Sequence, residues 1–163
     1  ELVSVARAND AIAEKLHRFT RKLLRAGSRS EAVALIEASL REDFDAFHCV
    51  LVLIGEFQDL APQRFVRAVA RDDAGLKSFE TLFASGKPRC GQVRDTQREF
   101  LFGQDANDIG SVALVPLADK NGPVGALALG STDRDRFHPG MSTEFLARMA
   151  DLIADALAAG TAA

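Results

Sequence analysis

The sequence predicts an α+β domain: a central antiparallel sheet flanked by helices, with long N- and C-terminal helices packing together. Three observations carry this. Apolar residues recur at helical spacing at both ends of the chain, through Leu2–Ala26 and Phe145–Leu157. The run Phe47–Ile54 is continuously apolar apart from His48, too short for a typical helix and rich in branched side chains, as in a strand covered on both faces. Two apolar segments flank Asn121-Gly122, the pattern of a β-hairpin. Neither a linker nor a repeat interrupts the order, so the elements form one α+β unit. The 163 residues suit a single core, since a chain of ~150 residues buries roughly 68–70% of its unfolded surface.

The first helix is the most informative element. Leu2, Val5, Asn9, Ile12, Leu16, Phe19, Leu23 and Ala26 alternate in steps of three and four, an a/d seam. The small residues Ala6, Ala8 and Ala13 flank it, and Asn9 occupies an a position, where a buried polar pair sets register. Six basic residues against three acidic ones make residues 1–26 locally positive on a chain of net charge −3. A 3.5-residue period favours self-association through Val5, Asn9, Ile12, Leu16, Phe19 and Leu23 over packing of the whole stripe on the same chain. Residues 1–27 therefore read as a dimerisation helix, the end of a truncated upstream region, because the chain starts in mid-heptad without Met. Residues 28–163 form the domain proper.

Gly27 is expected to end that helix as a left-handed C′ residue. Ser28 and Glu31 then form a capping box for a helix presenting Val33, Ile36 and Leu40. The strand through Phe47–Ile54 ends at Gly55, and Arg64–Ala70 is expected beside it. Asp73 caps a short helix carrying Leu76, Phe79, Leu82 and Phe83 that stops at Gly86. Arg89–Val93 reads as a short strand and Asp95–Phe102 as a brief helix. The hairpin joins Ser111–Leu117 to Val124–Leu129, with positive φ expected at Asn121-Gly122 and Pro123 at a strand start. Pro139 suits the first turn of the last helix.

Composition excludes several roles. A net charge of −3 and a pI near 5.6 argue against a nucleic-acid binder. No apolar run reaches the ~20 residues of a membrane span. Nothing resembles a signal peptide, and two cysteines make no disulfide framework, so a cytoplasmic location with reduced thiols is expected. No zinc spacing, phosphate loop or Gly-x-Ser-x-Gly occurs, and His17, His48 and His138 stand in separate elements. Neither a metal nor another cofactor is expected.

The last third carries a resemblance. Gly110–Leu117 followed by Gly122–Ser131 resembles the closing hairpin of a GAF domain, and Ala84-Ser85-Gly86-Lys87-Pro88 is similar to the segment before its third strand. More narrowly, Leu127-Ala128-Leu129-Gly130-Ser131 with Asp133, and Arg136-Phe137-His138-Pro139-Gly140-Met141-Ser142-Thr143 with Phe145-Leu146, resemble the proteobacterial family called domain of unknown function 484, which is itself GAF-like.

The GAF resemblance implies a small-molecule pocket between one sheet face and the short helices over it. Its candidate residues here are Phe79, Phe83, Cys90, Arg94, Phe100, Phe102, Asn107 and Asp108, an apolar wall with a few polar groups. The same phenylalanines can instead fill that space as core. Lys77-Ser78-Phe79-Glu80 does not match the cyclic-nucleotide signature of such domains, and the motifs around a bilin-bearing cysteine are missing. A methionine sulfoxide reductase-like role for Cys90, between Lys87 and Arg89, needs a resolving thiol, and only Cys49 is on offer. The reading is a non-catalytic GAF-type sensory or regulatory domain, dimeric, with a candidate small-molecule pocket. The alternative is a constitutive interaction scaffold with a filled pocket.

Overall fold

The computed structural model describes the backbone of residues 2–61 and 63–159, and their side chains except at 2, 4–6, 8, 9 and 159. Along the chain stand α1 (Leu2–Leu24), α2 (Arg29–Phe44), β1 (His48–Ile54), β2 (Val66–Val69), α3 (Glu80–Ser85), β3 (Arg89–Gly91), α4 (Asp95–Phe102), β4 (Ser111–Asp119), β5 (Gly122–Ser131) and α5 (Glu144–Ala159). A 3-10 segment, Ala74–Phe79, leads into α3, and another, Gly103–Asp108, follows α4.

The strands form one sheet in the order β2-β1-β5-β4-β3, an α+β architecture consistent with a GAF-like fold. Three pairings are antiparallel; β1 with β2 is parallel, with Leu51 opposite Val66 and Ile54 opposite Val69. The parallel step follows from the connection between Gly55 and Phe65, whose Leu60 and Phe65 lie on the face that carries α1, α2 and α5. A return of about a dozen residues is what a parallel pair requires. Leu60 and Phe65 are buried there, Arg29 Nε donates to Asp59 Oδ2 at 2.8 Å, and the Arg29 guanidinium lies 4.7 Å from the Phe57 ring centre.

Strand alternation divides the core into two layers. Leu51, Leu53, Ala113, Val115, Leu117, Leu127 and Leu129 face α1, α2 and α5. Val50, Val52, Val112, Leu114, Ala126 and Ala128 face α3, α4 and the two 3-10 segments. The three long helices pack against one another, so the N- and C-terminal helices meet as expected.

Local details depart from the sequence reading in four places. Ser28 caps α2 by accepting from the Glu31 N–H at 3.1 Å, but the Glu31 carboxylate accepts from Gly27 N–H at 2.9 Å, one residue before the box position. Gly27 lacks the positive φ of a C′ glycine, whereas Gly86 has it at 65°. At the hairpin only Gly122 has positive φ, because the Asp119 carboxylate accepts from Asn121 N–H at 2.8 Å and closes the turn from its first residue. Pro139 precedes α5 in a turn closed by Met141 N–H donating to His138 C=O at 3.1 Å, where a fixed φ suits the second turn position. Pro123 does stand at the start of β5.

Candidate functional site

The space between the sheet and its short covering helices is occupied by side chains. Ala126, Ala128 and Gly130 make this side of β5 low, and Phe102 and Ile109 descend onto it. A Cβ built on Gly130 would lie 2.9 Å from Phe102 Cζ and 3.0 Å from Ile109 Cδ1. Phe79 is buried in the same layer and meets Phe100 at 5.7 Å between ring centres. The Arg67 guanidinium covers Phe100 from outside at 4.5 Å. Gly75 lets this ring approach, since a Cβ there would lie 2.3 Å from Phe100 Cε1.

The eight candidate residues do not line one pocket, although the four phenylalanines share the covering layer. Phe79 and Phe102 are core, and Phe100 is a half-buried stacking partner. Phe83 lines a separate apolar depression of about 480 Å³ with Ile54, Leu76 and Pro123. Arg94 is exposed at the start of α4, where its N–H donates to the Gln97 carboxamide at 3.1 Å. Cys90 belongs to the opposite side of the sheet, against the layer of long helices. Asn107 and Asp108 line a polar cleft at the end of the sheet.

That cleft, about 460 Å³, is bounded by the end of β3, the start of α4, residues 107–112 and the loop after β5. Two guanidinium groups enter it. Arg98 donates through Nη1 to Ile109 C=O at 3.1 Å and through Nη2 to Asp95, while its Nε is buried without an acceptor. Arg134 meets the Gln92 carboxamide oxygen with Nη2 at 2.9 Å and Nε at 3.2 Å, the carboxamide being turned to face it. Sequence reasoning missed Gln92, Arg98, Ser111, Thr132 and Arg134. Their one local signal is the Ser131/Asp133 turn chemistry that holds the loop.

The two thiols stand far apart on the sheet. Cys49, Leu129, Ala113 and Cys90 form one row across β1, β5, β4 and β3. Three strand spacings of ~4.8 Å put the two cysteines roughly 14 Å apart, far beyond disulfide reach. Burial pushes the Cys49 thiol up to about 11, with a smaller contribution from Glu37, and burial also raises Cys90. Arg89 is turned away to Thr81, donating to Oγ1 at 2.9 Å and to the carbonyl at 3.0 Å.

The family model described as "Protein of unknown function, DUF484" matches residues 1–159. The chain belongs to the DUF484 family. The match runs through α1 as well as the sheet, so this DUF484 chain presents helix and sheet as one matched stretch. No curated protein matches it. Among its described residues no helix is long and apolar enough to cross a membrane, and no cluster of three His, Cys, Asp or Glu side chains is placed to hold a metal ion.

The six seam residues also separate. Phe19 and Leu23 are buried in the chain's own core beside Ile36, Leu40, Met149 and Ile153, and Leu16 packs on its border. Ile12 remains 41% exposed. The side chains of Val5 and Asn9 lie outside the described residues. Asp10–Glu14 are all exposed, and five successive residues exceed one turn of 3.6, so every side of α1 meets solvent at that level. Just below, Ile12, Ala13 and Leu16 of α1 and Met141 and Phe145 line an open groove of about 340 Å³.

Proposed function

We propose that this chain is a non-catalytic regulatory domain that self-associates through the N-terminal half of α1 and the start of α5. The observation that carries the reading is the exposed apolar groove formed by Ile12, Ala13, Leu16, Met141 and Phe145. It continues the heptad seam of α1 at the level where the helix leaves its own core. Helices with such a seam gain by burying it against a second helix. A second copy of this chain fits as the occupant because a two-fold pair buries the same stripe of both helices at once.

The raised thiols support a role without covalent chemistry, and the Phe102 plug supports a filled covering face over a ligand held there. Light scattering on the full chain tests the reading. The wild type is expected to be a dimer, and Ile12→Glu with Ala13→Arg to be a folded monomer. A wild-type monomer, or a double variant that stays dimeric, overturns it.

A further inference from the structure

We propose that the polar cleft beside Arg98 and Arg134 binds a small molecule carrying both a carboxylate and an ammonium group, the chemistry of a free amino acid or short peptide. The inference goes beyond self-association and does not depend on it.

The loop that presents Arg134 is held by more bonds than a simple connection requires. Ser111, 1% exposed, donates to Asp133 C=O at 2.6 Å and accepts from Phe137 N–H at 3.2 Å. Asp133 N–H donates to Ser131 Oγ at 3.1 Å, and Asp135 N–H to the Asp133 carboxylate at 2.8 Å. Gly110 is the cradle: a Cβ there would lie 2.7 Å from Thr132 C=O and 3.0 Å from Arg134 Cγ. Glycine thus lets the loop close over the start of β4 with the Arg134 stem seated on it. Fixing a charged side chain before a ligand arrives reduces the ordering cost of binding.

The charges on the walls select the ligand class. Arg134 spends its Nε–Nη2 edge on Gln92, leaving Nη1 and the outer edge of the fork for a carboxylate, which a guanidinium matches in shape. Arg98 is pinned by Ile109 C=O and Asp95 with its Nε unpaired. Asp108 and the Asn107 carboxamide stand on the same cleft and supply acceptors for an ammonium. Asp95, already paired with Arg98, and Asp108 on the same walls disfavour a polyanion such as a nucleotide phosphate chain. A volume of about 460 Å³ lies in the range of small-molecule sites, ~300–1,000 Å³.

Backbone amide NMR on the full chain tests this, with leucine, glutamate, arginine and alanyl-alanine as probes and acetate, ethylamine and inorganic phosphate as controls. At least one probe is expected to shift the Gly110, Ser111, Thr132 and Arg134 amides, with acetate and ethylamine much weaker. Arg134→Gln should raise its Kd roughly tenfold or more, the loss of one charge-assisted hydrogen bond. Asp108→Asn should weaken the same probe while leaving the acetate response unchanged, and wild-type circular dichroism in both variants shows that they fold. Silence at those amides with every probe, equal or stronger binding of phosphate or acetate, or unchanged affinity in Arg134→Gln overturns the proposal. Light scattering fails or succeeds independently, so this result and the self-association result remain separable.

Discussion

Gly125 has no room for a side chain: a Cβ there would lie 2.1 Å from Val52 C=O, across the β1–β5 ladder. Gly125→Ala forces these central strands apart, and the expected loss is about 3 kcal/mol or more in urea unfolding, at the upper end of overpacking effects. Phe102 is the opposite case. Phe102→Ala is expected to cost ~3–5 kcal/mol, because Ala128 and Gly130 beneath it cannot rise to fill the space. The same variant should take up a benzene-sized apolar probe that the wild type rejects, as a dry apolar cavity does. At Cys49, a thiol raised from 9.0 to about 11 has roughly 100-fold less thiolate at neutral pH than an unperturbed one. Alkylation of native Cys49 by iodoacetamide should therefore lag well behind that of unfolded protein. The stability this thiol contributes is fully present below pH 9 and is lost as pH rises towards about 11.

At the scale of elements, α2 is fastened at its start by two devices. Ser28→Ala removes the acceptor for Glu31 N–H and is expected to cost about 1 kcal/mol, read from the urea midpoint. The Arg29–Asp59 pair ties the 55–65 connection to the same helix, and the hydrogen bond from Arg29 holds the Asp59 carboxyl below its usual value. A lowered carboxyl contributes stability above its ordinary pKa and loses it as pH falls through the lowered one. Asp59→Asn should therefore unfold at lower urea than the wild type near neutrality, with the difference closing in acid. This connection also shows where sequence reading stopped. Arg64–Ala70 reads as the neighbour of β1, yet its parallel direction depends on Leu60 and Phe65 joining the core layer of the long helices, which collects distant segments. By contrast, the bounds of α4 and the stop of α3 at Gly86 are legible because helix length and a left-handed glycine are local properties.

For the whole molecule, one sheet is shared by two apolar layers, so the layers should unfold together. α1 enters only one of them, and only from Leu16 onward among its described side chains. Deleting residues 1–13 is expected to leave circular dichroism and the thermal midpoint close to those of the full chain while abolishing the dimer in light scattering. Deleting residues 1–24 should destabilise the domain severely, because Phe19 and Leu23 leave the core with it. The candidate pocket shows the same division. Its phenylalanines were recognisable as a set, but which ones plug, stack or line depends on the height of β5 beneath them. The polar cleft was not legible, since it collects residues from four separate segments.

By itself, the sequence determined the α+β class, the order of elements, the hairpin, the resemblance to its family and the amphipathic seam of α1. These rest on periodicity and turn chemistry within a few residues. Only the tertiary structure decided that the lower half of the seam is core, that Cys90 faces away from the phenylalanines, and that Arg98 and Arg134 meet at one cleft. The reason is physical. Spacing along a strand or helix says which side chains share a face, but not which segment covers that face or how closely it approaches.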